Sequence, residues 1–168
     1  LMLQPPDKRS ELVRGVMIVR EPAGFRHGDI AMNIAARMHS FVRQHRVGRV
    51  LAAETGFTLF TNPDTVRAPD VAFVRHDRIP DPLPRGYASF APDLAVEVLS
   101  PGDRPGEVLA KVADWLTAGT RLVWVVDPDR RVARVHRADG TVSVISESEA
   151  LDGEDVLPGF ACPLAEVL

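Results

Sequence analysis

Two carboxylates occupy positions where strands ordinarily carry core residues. Asp70 stands in the run VRAPDVAFVR and Glu97 in PDLAVEVLS. A lysine, Lys111, follows in GEVLAK, on what reads as the next helix. Two acids and a lysine brought together on a sheet form a site that can hold a divalent metal and cleave a phosphodiester. Clustered carboxylates repel one another unless a counter-charge neutralises them. Their oxygens suit Mg²⁺ or Mn²⁺. Such an ion acidifies a bound water and stabilises charge on a phosphate in flight. A nearby lysine orients that water or offsets the developing negative charge.

Strand parity predicts how the acids converge. Successive side chains of a strand face opposite sides. Val71 and Phe73 therefore share one face, and Asp70 and Ala72 the other. Leu94, Val96 and Val98 share a face, opposite Ala95 and Glu97. The turn TNPDT is expected to join strands over 56–60 and 70–74 as a hairpin. Setting Phe57 and Leu59 against Val71 and Phe73 then determines the register, because a one-residue slip flips every side chain. That register brings Glu54 near Asp70 as a third acid, among small residues that leave room for an ion and a ligand. Asp93 shares the parity of Glu97, but four residues of strand separate them by roughly 13 Å. Lys111 lies four residues before Trp115, at the border of the apolar stripe Val108, Val112, Trp115 and Leu116. It can bend toward the sheet from there.

The elements that must position these groups follow from periodicity and breakers. Residues 11–20 read as one or two strands turning near Gly15. A helix over 27–46 carries Ile30, Ile34, Met38, Phe41 and Val42 at helical spacing and stops at Gly48. Strands are expected over 50–53, 56–60, 70–74 and 94–99. The proline-rich stretch 80–92 reads as a surface loop. A second helix spans 107–118 and ends at Gly119. The apolar run 122–126 has the character of a central strand, and 132–136 with 141–145 continue as a meander. The predicted class is α+β, one mixed sheet with two main helices, in a single domain over 11–168 after a tail over 1–10.

Composition narrows the function classes. The chain has 168 residues, 45% hydrophobic and 26% charged, which is ordinary for a soluble globular protein. A formal net charge of -3 excludes a global basic field for nucleic acid. Contact with DNA or RNA would need a local patch or a metal. The single cysteine, Cys162, excludes an internal disulfide and a cysteine zinc motif, in keeping with a reducing cytoplasm. No apolar run approaches the ~18 residues of a membrane span. His39, His45, His76 and His136 lack ligand spacing and read as surface residues. Ser100, followed by Pro101 and Gly102, reads as a turn leading into a helix, with no base beside it. Trp115 and Trp124 read as core.

Taken in order, RAPDVAFV, PDLAVEVLSPGDRPGEVLAK, GTRLVWVVDP and a late LPGF resemble the Uma-two family of restriction-endonuclease-like proteins. That family belongs to the PD-(D/E)xK nuclease superfamily. The resemblance runs from about residue 11 to the end. It implies a restriction-endonuclease-like core and metal-dependent cleavage of nucleic acid, with DNA as the expected substrate and a homodimer as the expected assembly for cutting two strands. By motif, Asp70 corresponds to the Asp of the PD element and Glu97 to the acid of E-x-K. The resemblance adds the Val98 carbonyl as a metal ligand and His27 as a residue flanking the site. Leu99 stands where the superfamily lysine belongs, and the family pattern moves that lysine to Lys111. A non-catalytic binding or assembly protein that keeps the fold is the rival reading, and a metal-dependent hydrolase of another phosphate ester is a third.

Overall fold

A computed structural model describes residues 9–168, so most of the expected tail lies outside the described residues. Strands β1 (Arg9–Val13) and β2 (Val16–Arg20) form a hairpin. Its two turn residues, Arg14 and Gly15, have φ of 49° and 78°, the positive values that a tight hairpin turn requires. Helix α1 (Phe25–His45) follows, then β3 (Gly48–Ala52), β4 (Phe57–Phe60), β5 (Thr65–Arg67) and β6 (Val71–Arg75). A long loop leads to β7 (Leu94–Val98), α2 (Pro105–Thr117) and β8 (Leu122–Asp127). Strands β9 (Val132–Arg137), β10 (Val142–Ser146), β11 (Ala150–Asp152) and β12 (Ala161–Pro163) complete the chain. Helix α2 starts at Pro105, two residues before the expected start, because proline is well suited to a first helical position.

The α+β class is as predicted, but the strands divide among three sheets instead of one. Six strands in the order β10-β9-β8-β7-β6-β3 form the central sheet, four form β2-β1-β5-β4, and β11 pairs with β12. Within the central sheet β7 and β8 run parallel, with α2 as their crossover, and the other neighbours are antiparallel. The division follows burial. Val71–Val74, Leu94–Val98 and Leu122–Val126 are buried at every residue, so they take the middle, where both faces are covered.

The predicted hairpin of 56–60 with 70–74 does not form. The TNPDT turn joins β4 to β5, in the register Phe57↔Arg67, and β6 pairs with β3 and β7 instead. Val71–Val74 buries side chains on both faces and needs a strand on each side. The short β4 does not displace β3 there, and Phe57 packs with Ala72, Val123 and Trp115 on the α2 side.

Each helix covers one face of the central sheet. Ile30, Ile34, Met38 and Val42 of α1 pack on Val71, Phe73, Val96, Val98 and Trp124. Val112 and Trp115 of α2 pack on Ala72, Ala95, Val123 and Val125. The predicted parity therefore holds in β6 and β7, and Glu97, on the Ala95 face, points toward α2.

Candidate active site

The β6–β7 pairing brings the acids together. Val71 faces Val96 and Phe73 faces Leu94, and one further step of that register sets Asp70 opposite Glu97. Asp70 stands just before β6. Its N–H donates to the Val96 carbonyl at 3.0 Å, and its Oδ2 accepts the Val98 N–H at 2.7 Å. The carboxylate is thereby clamped at the end of β7.

Glu97 has a nitrogen on each oxygen. Lys111 Nζ lies 2.7 Å from Oε2, and Trp115 Nε1 donates to Oε1 at 2.8 Å. Both donors come from α2, one on its border and one on its buried stripe. Lys111 is therefore where the helix spacing predicts. Burial pushes the Glu97 carboxyl up to about 7, with Asp70 and Glu11 adding repulsion against the pull of Lys111. Burial alone would lower the Lys111 ammonium, but Glu97, Glu11 and Asp70 outweigh it and hold its pKa above the usual lysine value. Lys111 is thus a standing cation.

His27 does flank the site. Its Nε2 is 3.0 Å from Asp70 Oδ1 and its Nδ1 is 3.1 Å from Ser100 Oγ. Burial would raise the Asp70 pKa, but the hydrogen bond and charge of His27, the charge of Lys111 and the Val98 N–H together lower it. An ionised carboxylate only accepts, so Nε2 carries the proton, and in neutral His27 Nδ1 accepts from the Ser100 hydroxyl. The expectation that no base lies beside Ser100 is overturned. The two residues are 73 positions apart in sequence, so only folding reveals the pair.

Three further residues complete the charge network, and the sequence reading passed over all of them. Glu11 on β1 is buried. Its Oε1 lies 3.4 Å from Lys111 Nζ and accepts the Ala68 N–H at 3.0 Å, while its Oε2 takes Arg67 Nη1 at 3.0 Å. Arg67, only 4% exposed, donates twice more to Asp114 Oδ2, at 2.6 and 3.1 Å. Burial would raise the Glu11 pKa, but Lys111, the Ala68 N–H and Arg67 bring it below its ordinary value. A carboxylate set within a strand beside apolar residues is the signal that flags Glu97, and Glu11, followed by Leu12 and Val13, carries it too. Asp114, three residues from Lys111 on α2, carried no signal of its own.

Glu54 reaches the neighbourhood by a different route from the one predicted. It sits in the turn after β3 with φ of 69° and lines the same cleft, without the β4–β6 register. Among the described residues no three His, Cys, Asp or Glu side chains converge as a metal-ligating group. Asp93 stays out of the cleft as expected, pairing with Arg78 at 2.9 Å. His136, expected at the surface, is buried on β9, because its strand position faces the same side as Val123.

The network opens into a cleft of about 800 Å³. Among the described residues carboxylates outnumber Lys and Arg along its walls.

A family described as "Putative restriction endonuclease", Uma2, matches residues 1–165. The chain belongs to the Uma2 family. A solved structure similar to this Uma2 chain is described as a putative nuclease belonging to DUF820 from Anabaena variabilis ATCC 29413. The two share 22% identity over 98% of this chain and 92% of that one, with a TM-score of 0.86. At that identity the likeness establishes the shared fold. No curated protein matches this Uma2 chain. Among the described residues no helix is long and apolar enough to cross a membrane.

Proposed function

We propose that this Uma2 protein is a metal-dependent nuclease of the PD-(D/E)xK type that hydrolyses phosphodiester bonds of nucleic acid, DNA foremost. The observation that carries the proposal is Asp70, Glu97 and Lys111 meeting at one end of the central sheet, on the wall of an open cleft.

The residues present fit Mg²⁺ or Mn²⁺. Two carboxylates from neighbouring strands offer hard oxygen donors, and Mg²⁺ commonly takes one or two carboxylates while keeping waters. The raised Glu97 carboxyl is a group that a cation would stabilise in its charged form. Asp70, Glu97 and the Val98 carbonyl would hold the ion. When bound, it would polarise the phosphate and supply an acidified water.

The chain's own groups supply the remaining parts. Lys111, held protonated between Glu97 and Glu11, places a fixed positive charge where negative charge grows on the phosphate. With its proton retained, it stabilises charge and does not act as a base. His27 and the Val98 N–H fix the Asp70 carboxylate in orientation. Trp115 does the same for Glu97.

One observation favours the non-catalytic alternative. Both oxygens of Asp70 and both oxygens of Glu97 have nitrogen partners. A fold-keeping binding protein would show the same self-satisfied arrangement.

The test is calorimetric titration with Mn²⁺ and cleavage of plasmid and single-stranded DNA by wild type, Asp70→Asn, Glu97→Gln and Lys111→Ala. Asp70→Asn and Glu97→Gln should lose both metal binding and cleavage. Lys111→Ala should bind Mn²⁺ yet cut roughly 100-fold more slowly, as for removal of one positioned electrostatic group. A wild type that neither binds Mn²⁺ nor cuts would establish the alternative.

A further inference from the structure

Two solvent-exposed aromatic side chains line the same cleft as Asp70, Glu97 and Lys111. Phe25 opens α1 and is 93% exposed. Tyr87 lies in the long loop between β6 and β7 and is 56% exposed. A single exposed ring needs no explanation, but two on the walls of one cleft offer apolar surface that a ligand would cover.

Tyr87 is held as a platform. Its neighbour Ala88 donates to the Gly56 carbonyl at 3.2 Å, and Thr58 donates to the Ala88 carbonyl at 2.7 Å. These bonds form a parallel bridge between the loop and β4. The Tyr87 ring lies against Gly56 so closely that a Cβ there would come within 2.4 Å of it. The Cδ1–Cε1 side of the ring is thus held against Gly56 while the residue keeps more than half its surface open.

The charges of the cleft say what such rings would receive. Arg20 spans Asp103 at 3.8 Å and Glu107 at 3.4 Å. Arg26 pairs with Asp129 at 3.0 Å and donates to the Pro128 carbonyl at 2.6 Å. Lys111 is shared by Glu97 and Glu11. Among the described residues the Lys and Arg of the cleft are therefore already engaged, and the chain as a whole is acidic. A duplex offers its binder mainly phosphates, which demand free Lys and Arg. An unpaired strand also offers the π-faces of its bases, which stack on aromatic side chains.

We infer that the cleft takes a nucleic-acid segment with unpaired bases, stacked on Phe25 and Tyr87, and discriminates against intact duplex. This rests on the nuclease reading for the choice of nucleic acid as partner, and it deepens that reading by naming the substrate class. Stacking depends on the base and not on the sugar, so DNA and RNA single strands are both admitted by these rings. The 2′-hydroxyl would have to be read elsewhere.

The test is fluorescence anisotropy in Ca²⁺, using labelled oligothymidylate and oligouridylate of roughly 12 nucleotides, a length within single-strand site sizes. A blunt duplex of the same length is the comparison. The proteins are wild type, Phe25→Ala, Tyr87→Ala, Gly56→Ala and, as a surface control outside the cleft, Leu109→Ala. Wild type should favour single strands over duplex by tenfold or more. Phe25→Ala and Tyr87→Ala should each weaken single-strand binding roughly 5- to 150-fold, the equivalent of about 1–3 kcal/mol per base stack. Phe25→Ala removes a fully solvated ring, so folding is not at stake. Gly56→Ala, which dislodges the Tyr87 ring without changing charge, should act in the same direction, and Leu109→Ala should change nothing. Equal affinity for duplex and single strand, or single-strand binding indifferent to both aromatic substitutions, would overturn the inference. Stacking-dependent binding by a wild type that cuts nothing would uphold the inference and sink the nuclease reading. Cleavage of duplex with no effect of either ring would do the reverse.

Discussion

Trp115 and Trp124 are both fully buried, one against each face of the same sheet, and they live in different chemistry. Trp124 stacks on Phe160 at 6.1 Å, within the cluster that α1 closes. Its indole N–H has no hydrogen-bond partner among the described residues. Trp115 packs edge-on to Phe57 at 6.1 Å, and its N–H donates to Glu97. The α1 face buries an apolar cluster and tolerates one unpaired donor within it. The α2 face is apolar only in part, and at the cleft end it becomes a chain of paired charges from Asp114 through Arg67, Glu11 and Lys111 to Glu97. One face holds the sheet together. The other holds charges in place, and each of those charges depends on a partner.

The largest test of that contrast is Arg67→Ala. It leaves Glu11 and Asp114 buried without their shared cation, and breaking a buried pair typically costs about 3–5 kcal/mol. Urea unfolding should show a loss of that size. A loss under 1 kcal/mol would mean that water reaches the network and that the α2 face is not buried as described.

A smaller effect sharpens the comparison directly. Trp115→Phe and Trp124→Phe remove the same volume from the two faces, so the cavity contribution is similar. Only Trp115→Phe strands a Glu97 oxygen. In unfolding measured well above the raised Glu97 value of about 7, its destabilisation should exceed that of Trp124→Phe by roughly 1.5–3 kcal/mol, the range for a hydrogen bond to a charged group. Equal losses would show that the Trp115–Glu97 bond contributes nothing.

The smallest effect is read from pH. Glu11 is held below its ordinary value of 4.5 when folded. The unfolded chain therefore binds a proton first as pH falls. The stabilisation is fully present above about 4.5 and is lost as pH drops through the lowered folded value. Melting temperature followed from pH 6 downward should fall less steeply in Glu11→Gln than in wild type. Identical slopes would place the acid sensitivity elsewhere.

Much of this protein is determined by its sequence alone. Short apolar runs define β6 and β7, a 3.6-residue period defines α1 and α2, and parity puts Glu97 on the side opposite Val96. Helix spacing puts Lys111 at the margin of the stripe that ends in Trp115. These are local consequences of backbone geometry, and each survives whatever the strands pair with. The family motifs are legible for the same reason, since each is a short contiguous run.

Strand partners were decided by tertiary structure. The turn TNPDT announces a hairpin but not which strand returns from it, and β5 is too short for periodicity to reveal. Asp70 meets Glu97 through β7, and Glu54 approaches through the turn after β3. Glu11, Arg67 and Asp114 converge from β1, β5 and α2. His27 comes to lie between Asp70 and Ser100 because the first turn of α1 meets the residue before β6 and the loop after β7. The physical reason is common to all of these contacts. A run of apolar residues states that it must be buried, but many neighbours can bury it. Which neighbour does so depends on satisfying the backbone and the charges of the whole chain at once.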